Sequence, residues 1–280
     1  MAVLLYAYWP TIVWITDAWR TEPDYSHGFL VVPLACLILY HRSESFPGFG
    51  RRTSNWGLSL IALAILMRLV GRMAYADFMD GWSLIPLLAG TVWYLWGFAA
   101  MKWSLPAIGF LLFMIPMPYQ AETMLSWKLQ GVATQLSTSM LRVFGQPAVS
   151  EGHVVWVYGE QLLIEQACSG LRIFIGVGAL AYFWAAVADR SWIDRVVILA
   201  SAIPLAIVAN SIRITAIGLL YIWFKDTNTR HQIHDLTGYA MIPLAFCMLW
   251  MIKLYWEHLY RPISKLNAGD FIKPQPKLDA

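Results

Sequence analysis

Runs of about 20 apolar residues, enough to cross ~30 Å of hydrocarbon as a helix, recur from one end of this 280-residue chain to the other. A chain patterned in this way folds with lipid as part of its solvent. Its composition agrees: 59% of residues are hydrophobic and 13% charged, about half the charge of a soluble domain. The pattern predicts an all-α polytopic membrane protein with about eight transmembrane helices, near 2–19, 27–41, 56–75, 82–99, 103–117, 168–188, 193–224 and 236–257. The fifth is the least regular, being short and interrupted by Pro106 and Pro116. The first begins at Met1 and lacks a small-residue cleavage site, so it reads as a retained span rather than a signal peptide. No fixed-period repeat and no low-complexity run is visible.

The distribution of Lys and Arg sets the expected orientation. With Met1 cytoplasmic, the inner loops hold ten basic residues: Arg42, Arg51, Arg52, Lys102, Arg190, Arg195, Arg261, Lys265, Lys273 and Lys277. The outer loops hold six, namely Arg20, Arg72, Lys128, Arg142, Lys225 and Arg230. Both termini are therefore expected inside. The net charge of +3 follows from this bias. No clustered basic and aromatic surface of the kind nucleic acid needs is present. Residues 1–257 read as one transmembrane domain carrying an outer-face insert at 118–167. Residues 258–280, with Pro262, Pro274 and Pro276, read as a cytoplasmic tail without a fold.

Within the insert, Leu125, Leu129, Val132 and Leu136 recur at helical spacing among polar residues from Tyr119 to Phe144. This fits a short amphipathic helix on the outer membrane surface, ended by Gly145-Gln146-Pro147. From Val149 to Ile164 the pattern is extended, with a turn at Gly159-Glu160, and predicts a small β-hairpin. That hairpin leads directly to Cys168.

Cys168 stands where a polar segment becomes an apolar helix, and a thiol at a helix N-terminus is favoured as thiolate. Counting ~20 residues at ~1.5 Å each from the cytoplasmic start of the seventh span reaches the outer boundary near Arg213. Asn210 lies one turn before it on the same face. His234 precedes the eighth span. Each residue has a plainer reading: a packed structural cysteine, a snorkelling arginine, a histidine in a wet loop with His231 as a competing imidazole. Their coincidence at one depth from three helices favours a site. Cys36 and Cys247, in apolar surroundings, read as small buried hydrophobes. The cysteine spacing gives no disulfide framework and no zinc site; no metal and no cofactor is expected.

The chemistry such a trio supports is covalent acyl transfer. The Cys168 thiolate attacks a peptide carbonyl, His234 takes the thiol proton and returns it to the leaving amine, and Arg213 stabilises the oxyanion. Ser169 and Gly170 can present backbone N–H groups beside the nucleophile. Glu165 can pair with Arg213 or His234, and Asn210 can orient Arg213. His27, on the same outer face, either joins the site or shapes the start of the second span.

These residues resemble the exosortase/archaeosortase family. The matching motifs are Ala167-Cys168-Ser169-Gly170-Leu171-Arg172, Asn210-Ser211-Ile212-Arg213, His234 with Gly238 four residues on, and Asp24-Tyr25-Ser26-His27-Gly28 with Pro33. The resemblance runs from about Trp19 to Trp256. It implies a multi-pass transpeptidase of the bacterial inner membrane, sortase-like in role, in which Cys168, Arg213 and His234 match the proposed catalytic residues. The implied substrates are exported proteins with a C-terminal sorting signal: a short motif such as Pro-Glu-Pro, one transmembrane helix and a basic cluster. Such enzymes are linked to exopolysaccharide production and surface-protein sorting. Membrane lipid surrounds the site, and the acceptor is water or a lipid-linked or glycan nucleophile. Two other readings stand beside this one: a non-enzymatic transporter or assembly component for an exported polysaccharide, and an acyltransferase using a lipid donor.

Overall fold

The computed structural model describes residues 2–49, 54–163, 170–188, 191–224 and 226–259. Helices dominate: α1 (Ala2–Thr21), α2 (Gly28–His41), α3 (Gly57–Met73), α4 (Asp77–Trp82), α5 (Leu84–Trp96), α6 (Phe98–Phe110) and α7 (Tyr119–Val143) precede a small sheet. The strands are β1 (Ala148–Glu151), β2 (Val154–Val157) and β3 (Glu160–Leu163), followed by α8 (Leu171–Val187), α9 (Trp192–Trp223) and α10 (Thr227–Leu259). The predicted cytoplasmic tail lies outside the described residues from 260 onward.

Each predicted span falls on helix, but length separates them. Among the described residues, two helical stretches are long and apolar enough to cross a membrane, Trp192–Trp223 and Leu236–Trp256. They become three if residues 98–114 and α7, bent by 82° at residues 115–118, form one broken span. The stretch expected as one span at 82–99 is divided, because Ser83 separates α4 from α5 and Gly97 (φ +87°) separates α5 from α6. α5 and α6 are 13 residues each, about 20 Å long, and pack on one another.

The insert differs from the sequence expectation in two ways. Its helix is present, but the face it buries is Leu129, Ala133, Thr134, Ser137, Thr138 and Leu141, while Val132 is exposed. Small residues allow close approach to α9, and the hydroxyls are satisfied within the helix: Thr134 Oγ1 donates to the Gln130 carbonyl at 2.8 Å and Thr138 Oγ1 to that of Thr134 at 2.7 Å. The hairpin is a three-stranded antiparallel sheet in the order β1-β2-β3. Its second turn is Tyr158-Gly159, both at positive φ (52° and 77°), as a tight twisted hairpin requires; the expected turn was one residue later. Ala148, Val155 and Val157 pack with Ala133 and Leu141 of α7 and with Ile214 and Ile217 of α9.

α9 starts on a sequence-legible cap. Ser191 accepts from the Asp194 amide at 3.4 Å and donates its hydroxyl to the Asp194 carboxylate at 3.0 Å, satisfying an orphan N–H of the first turn. The buried Asp194 also accepts from Trp256 Nε1 at 2.7 Å, which ties the start of α9 to the far end of α10. Between them lies an apolar core of Ile198, Ala202, Leu205, Ala206 and Ala209 with Met241, Ala245 and Leu249. Cys36 and Cys247 are exposed on the protein surface, so their apolar surroundings are the medium around the helices rather than the core.

Candidate active site

α9 and α10 form a tied pair, and the second tie is at Arg213. A Cβ added to Gly238 would stand 3.1 Å from Arg213 Nη2, so the guanidinium comes close to α10 at a position that carries no side chain. Arg213 is 21 residues in from Trp192 and Gly238 is 21 residues in from Leu259. Both are thus at ~32 Å along their helices from those ends. Arg213 is 6% exposed.

One turn earlier, Asn210 (2% exposed) faces a different glycine. Gly170 caps α8 with φ +81° and ψ 3°, in the left-handed region. A Cβ there would stand 2.7 Å from Asn210 Nδ2. Two constraints converge on this position: the backbone conformation disfavours an L side chain, and the Asn210 amide occupies its space. A narrow crevice lined by Gly170, Asn210, Leu129, Ala133, Phe174, Ala206 and Ile207 leaves no room for a water-sized sphere. Asn210 and Arg213 are thereby locked between α8 and α10.

Of the residues predicted for the site, the structure brings together Gly170, Asn210 and Arg213. Glu165, Cys168 and Ser169 lie outside the described residues; Cys168 precedes Gly170 by two positions. His234 and His231 belong to α10, with His234 one turn before Gly238, and their side chains lie outside what is described. His27 makes a contact of its own. It precedes α2, and its Nε2 is 3.0 Å from the Phe113 carbonyl oxygen. Among the described residues there is no group of three or more His, Cys, Asp or Glu arranged to hold a metal.

Two charged residues were quoted in the sequence motifs without a role, and the structure pairs them. Asp24 Oδ1 is 3.8 Å from Arg172 Nε, joining the α1–α2 connection to the first turn of α8. Burial pushes the Asp24 carboxyl above its usual range, opposed by the positive charge of Arg172, His27 and Arg213. The signal available beforehand was Arg172 itself: an arginine opening an apolar helix calls for a counter-charge.

The fold and this layer define a membrane protein, predominantly helical, whose polar residues on α9 are held against glycines of the two neighbouring helices. The chain belongs to the transmembrane exosortase family, whose model matches residues 19–251. No curated protein and no solved structure matches it.

Proposed function

We propose that this protein is a membrane-embedded cysteine transpeptidase that cleaves C-terminal sorting signals from exported proteins at the outer face of the inner membrane. Family membership supports the substrate class. The observation that carries the site is the arrangement on α9: Asn210 rests against Gly170, two residues past Cys168, and Arg213 against Gly238, one turn past His234. A single helix thus touches chain neighbours of both the proposed nucleophile and the proposed base.

In this reading the Cys168 thiol gives its proton to His234 and the thiolate sulfur bonds to the scissile carbonyl carbon. The negative charge that develops on the carbonyl oxygen is met by the Arg213 guanidinium, which is desolvated and so acts strongly. The C–N bond breaks as His234 returns the proton to the leaving amine, leaving a thioester on Cys168. An incoming nucleophile, water or a lipid-linked or glycan acceptor, then displaces the sulfur. The shorter helices complete an eight-segment polytopic fold with both termini cytoplasmic, and residues 1–257 act as one domain with the insert at 118–167 over the site.

The test is co-expression with a tagged protein bearing a C-terminal sorting helix, read by intact mass. A shortened product is expected with the wild-type protein and none with Cys168→Ala at equal protein level. Equal processing by Cys168→Ala would overturn the assignment. Any added mass on the product would identify the acceptor.

A further inference from the structure

The motif Asp24-Tyr25-Ser26-His27-Gly28 is not used by the mechanism above, yet the fold invests heavily in placing it. Tyr25 is 1% exposed and packs with Leu129 of α7 and with Leu171 and Ile175 of α8. Its hydroxyl accepts from the Met117 amide at 3.0 Å and donates to Glu122 at 3.3 Å. Trp19 Nε1 donates to the Met114 carbonyl at 2.7 Å, and His27 Nε2 lies 3.0 Å from that of Phe113. Residues on both sides of Asp24 are therefore fastened to the segment 113–117, and Asp24 cannot drift from the start of α8.

At that start, Arg172 follows Cys168 by four positions. Arg172 Nε lies 3.8 Å from the Asp24 carboxylate, with both side chains about a third exposed, and the positive charge of Arg213 on α9 acts on the same carboxyl from farther away. Resting on the reading of Cys168 and Arg213 given above, we propose that Asp24 is a positioning residue of this site: its carboxylate, clamped over the first turn of α8 by Tyr25, holds the Arg172 guanidinium and so fixes the start of α8, four residues after Cys168, in the arrangement that acyl transfer needs. Burial makes the ionised carboxyl costly there, a cost that a merely structural contact would avoid with a neutral side chain. The charged and titratable groups facing it are Arg172, Arg213 and His27 together with the acids Glu22 and Glu122.

The experiment uses full-length protein in membranes, in a Cys36→Ala, Cys247→Ala background that leaves Cys168 as the sole thiol. It measures processing rate against substrate concentration and pH, alongside alkylation of Cys168 by iodoacetamide. Asp24→Asn is expected to lower the maximal rate roughly 10²-fold, the scale of a small misplacement of a catalytic group, with little change in KM. Asp24→Glu restores part of that rate. Wild-type activity falls at mildly acidic pH as Asp24 protonates, and the residual activity of Asp24→Asn lacks that decline. Unaltered processing by Asp24→Asn, where Cys168→Ala is inactive, would overturn the role of Asp24 alone. Processing by Cys168→Ala would instead sink the underlying reading. A loss in Asp24→Asn that tracks a lower unfolding temperature and that Asp24→Glu does not relieve would reduce Asp24 to a structural tie.

Discussion

Two arginine environments in this molecule differ in what surrounds the charge. On α3, Arg68 and Arg72 converge on Asp80 of α4, at 3.5 Å and 3.3 Å. Asp80 is 4% exposed and also accepts from Thr11 Oγ1 at 2.7 Å. Arg68 further stacks on the Tyr8 ring at 4.1 Å and donates to the Ala7 carbonyl, while Tyr8 and Ser83 share a hydrogen bond of 2.8 Å. That cluster closes upon itself and joins α1, α3 and α4. On α9, Arg213 lies against the bare backbone of Gly238, and Asn210 against Gly170. The first environment is an ion-pair cluster between elements, and the second brings α9 close to glycines of its two neighbours. An arginine in an apolar helix is therefore not diagnostic by itself, and its neighbours have to be read.

The sharpest test of that distinction exchanges the two. Arg213→Gln is expected to reduce processing by roughly 10²–10³-fold, the scale of losing a preorganised oxyanion donor, at unchanged protein level. Asp80→Ala leaves two guanidiniums without their carboxylate and is expected to destabilise the fold by about 3 kcal/mol, the low end for breaking a buried pair, since Arg72 is half exposed. Thermal unfolding with an assay of the surviving protein separates these outcomes. If Arg213→Gln instead depletes the protein and Asp80→Ala abolishes turnover in folded molecules, the comparison is inverted.

A smaller effect is expected at the glycines. Gly238→Ala places a methyl group 3.1 Å from Arg213 Nη2, so the guanidinium must yield by a few tenths of an ångström. Processing is expected to fall about tenfold, below the ~10²-fold associated with a full ångström, with unfolding temperature unchanged. Gly71→Ala makes the contrasting case beside the other cluster, where the Cβ would meet Met79 Cβ at 3.0 Å and the Ala76 carbonyl at 3.2 Å. There stability should fall and specific activity hold. Equal behaviour of the two alanines would remove the basis for calling the Gly238 surface functional.

The helices were legible because hydropathy reports where a chain must be helical. α9 was expected at 193–224 and runs from Trp192 to Trp223, and α7 ends one residue from its predicted limit. Hydropathy does not report which helix faces meet. The α7 face against α9 consists largely of Ala, Ser and Thr, which no apolar stripe announces; of the visible Leu and Val stripe, Leu129 is buried and Val132 exposed. The division of one expected span at Ser83 and Gly97 was hidden because the flanking residues remain apolar across the breaks. Ion pairs such as Asp24 with Arg172 and Arg68 with Asp80 join separate elements, and sequence spacing carries no trace of them.

The smallest expected effect concerns pH. Burial raises the carboxyl groups of both Glu22 and Asp24 above their ordinary values of 4.5 and 3.8, with Asp24 and Asp17 adding to the rise at Glu22. A carboxyl that binds its proton more tightly in the folded than in the unfolded chain favours folding as protons are added. The stabilisation is therefore complete below the ordinary values and is lost as pH rises through the raised ones. The share that these two carboxyls contribute to the unfolding temperature should thus increase on acidification toward the ordinary carboxylate range, read as the difference between the wild type and Asp24→Asn. Processing should decline over the same interval, as Asp24 loses its charge. Asp24→Asn should remove its share of that thermal slope, leaving the part due to Glu22. A wild-type protein whose stability and processing fall together on acidification would show that the carboxylates around Asp24 serve the fold before they serve the site.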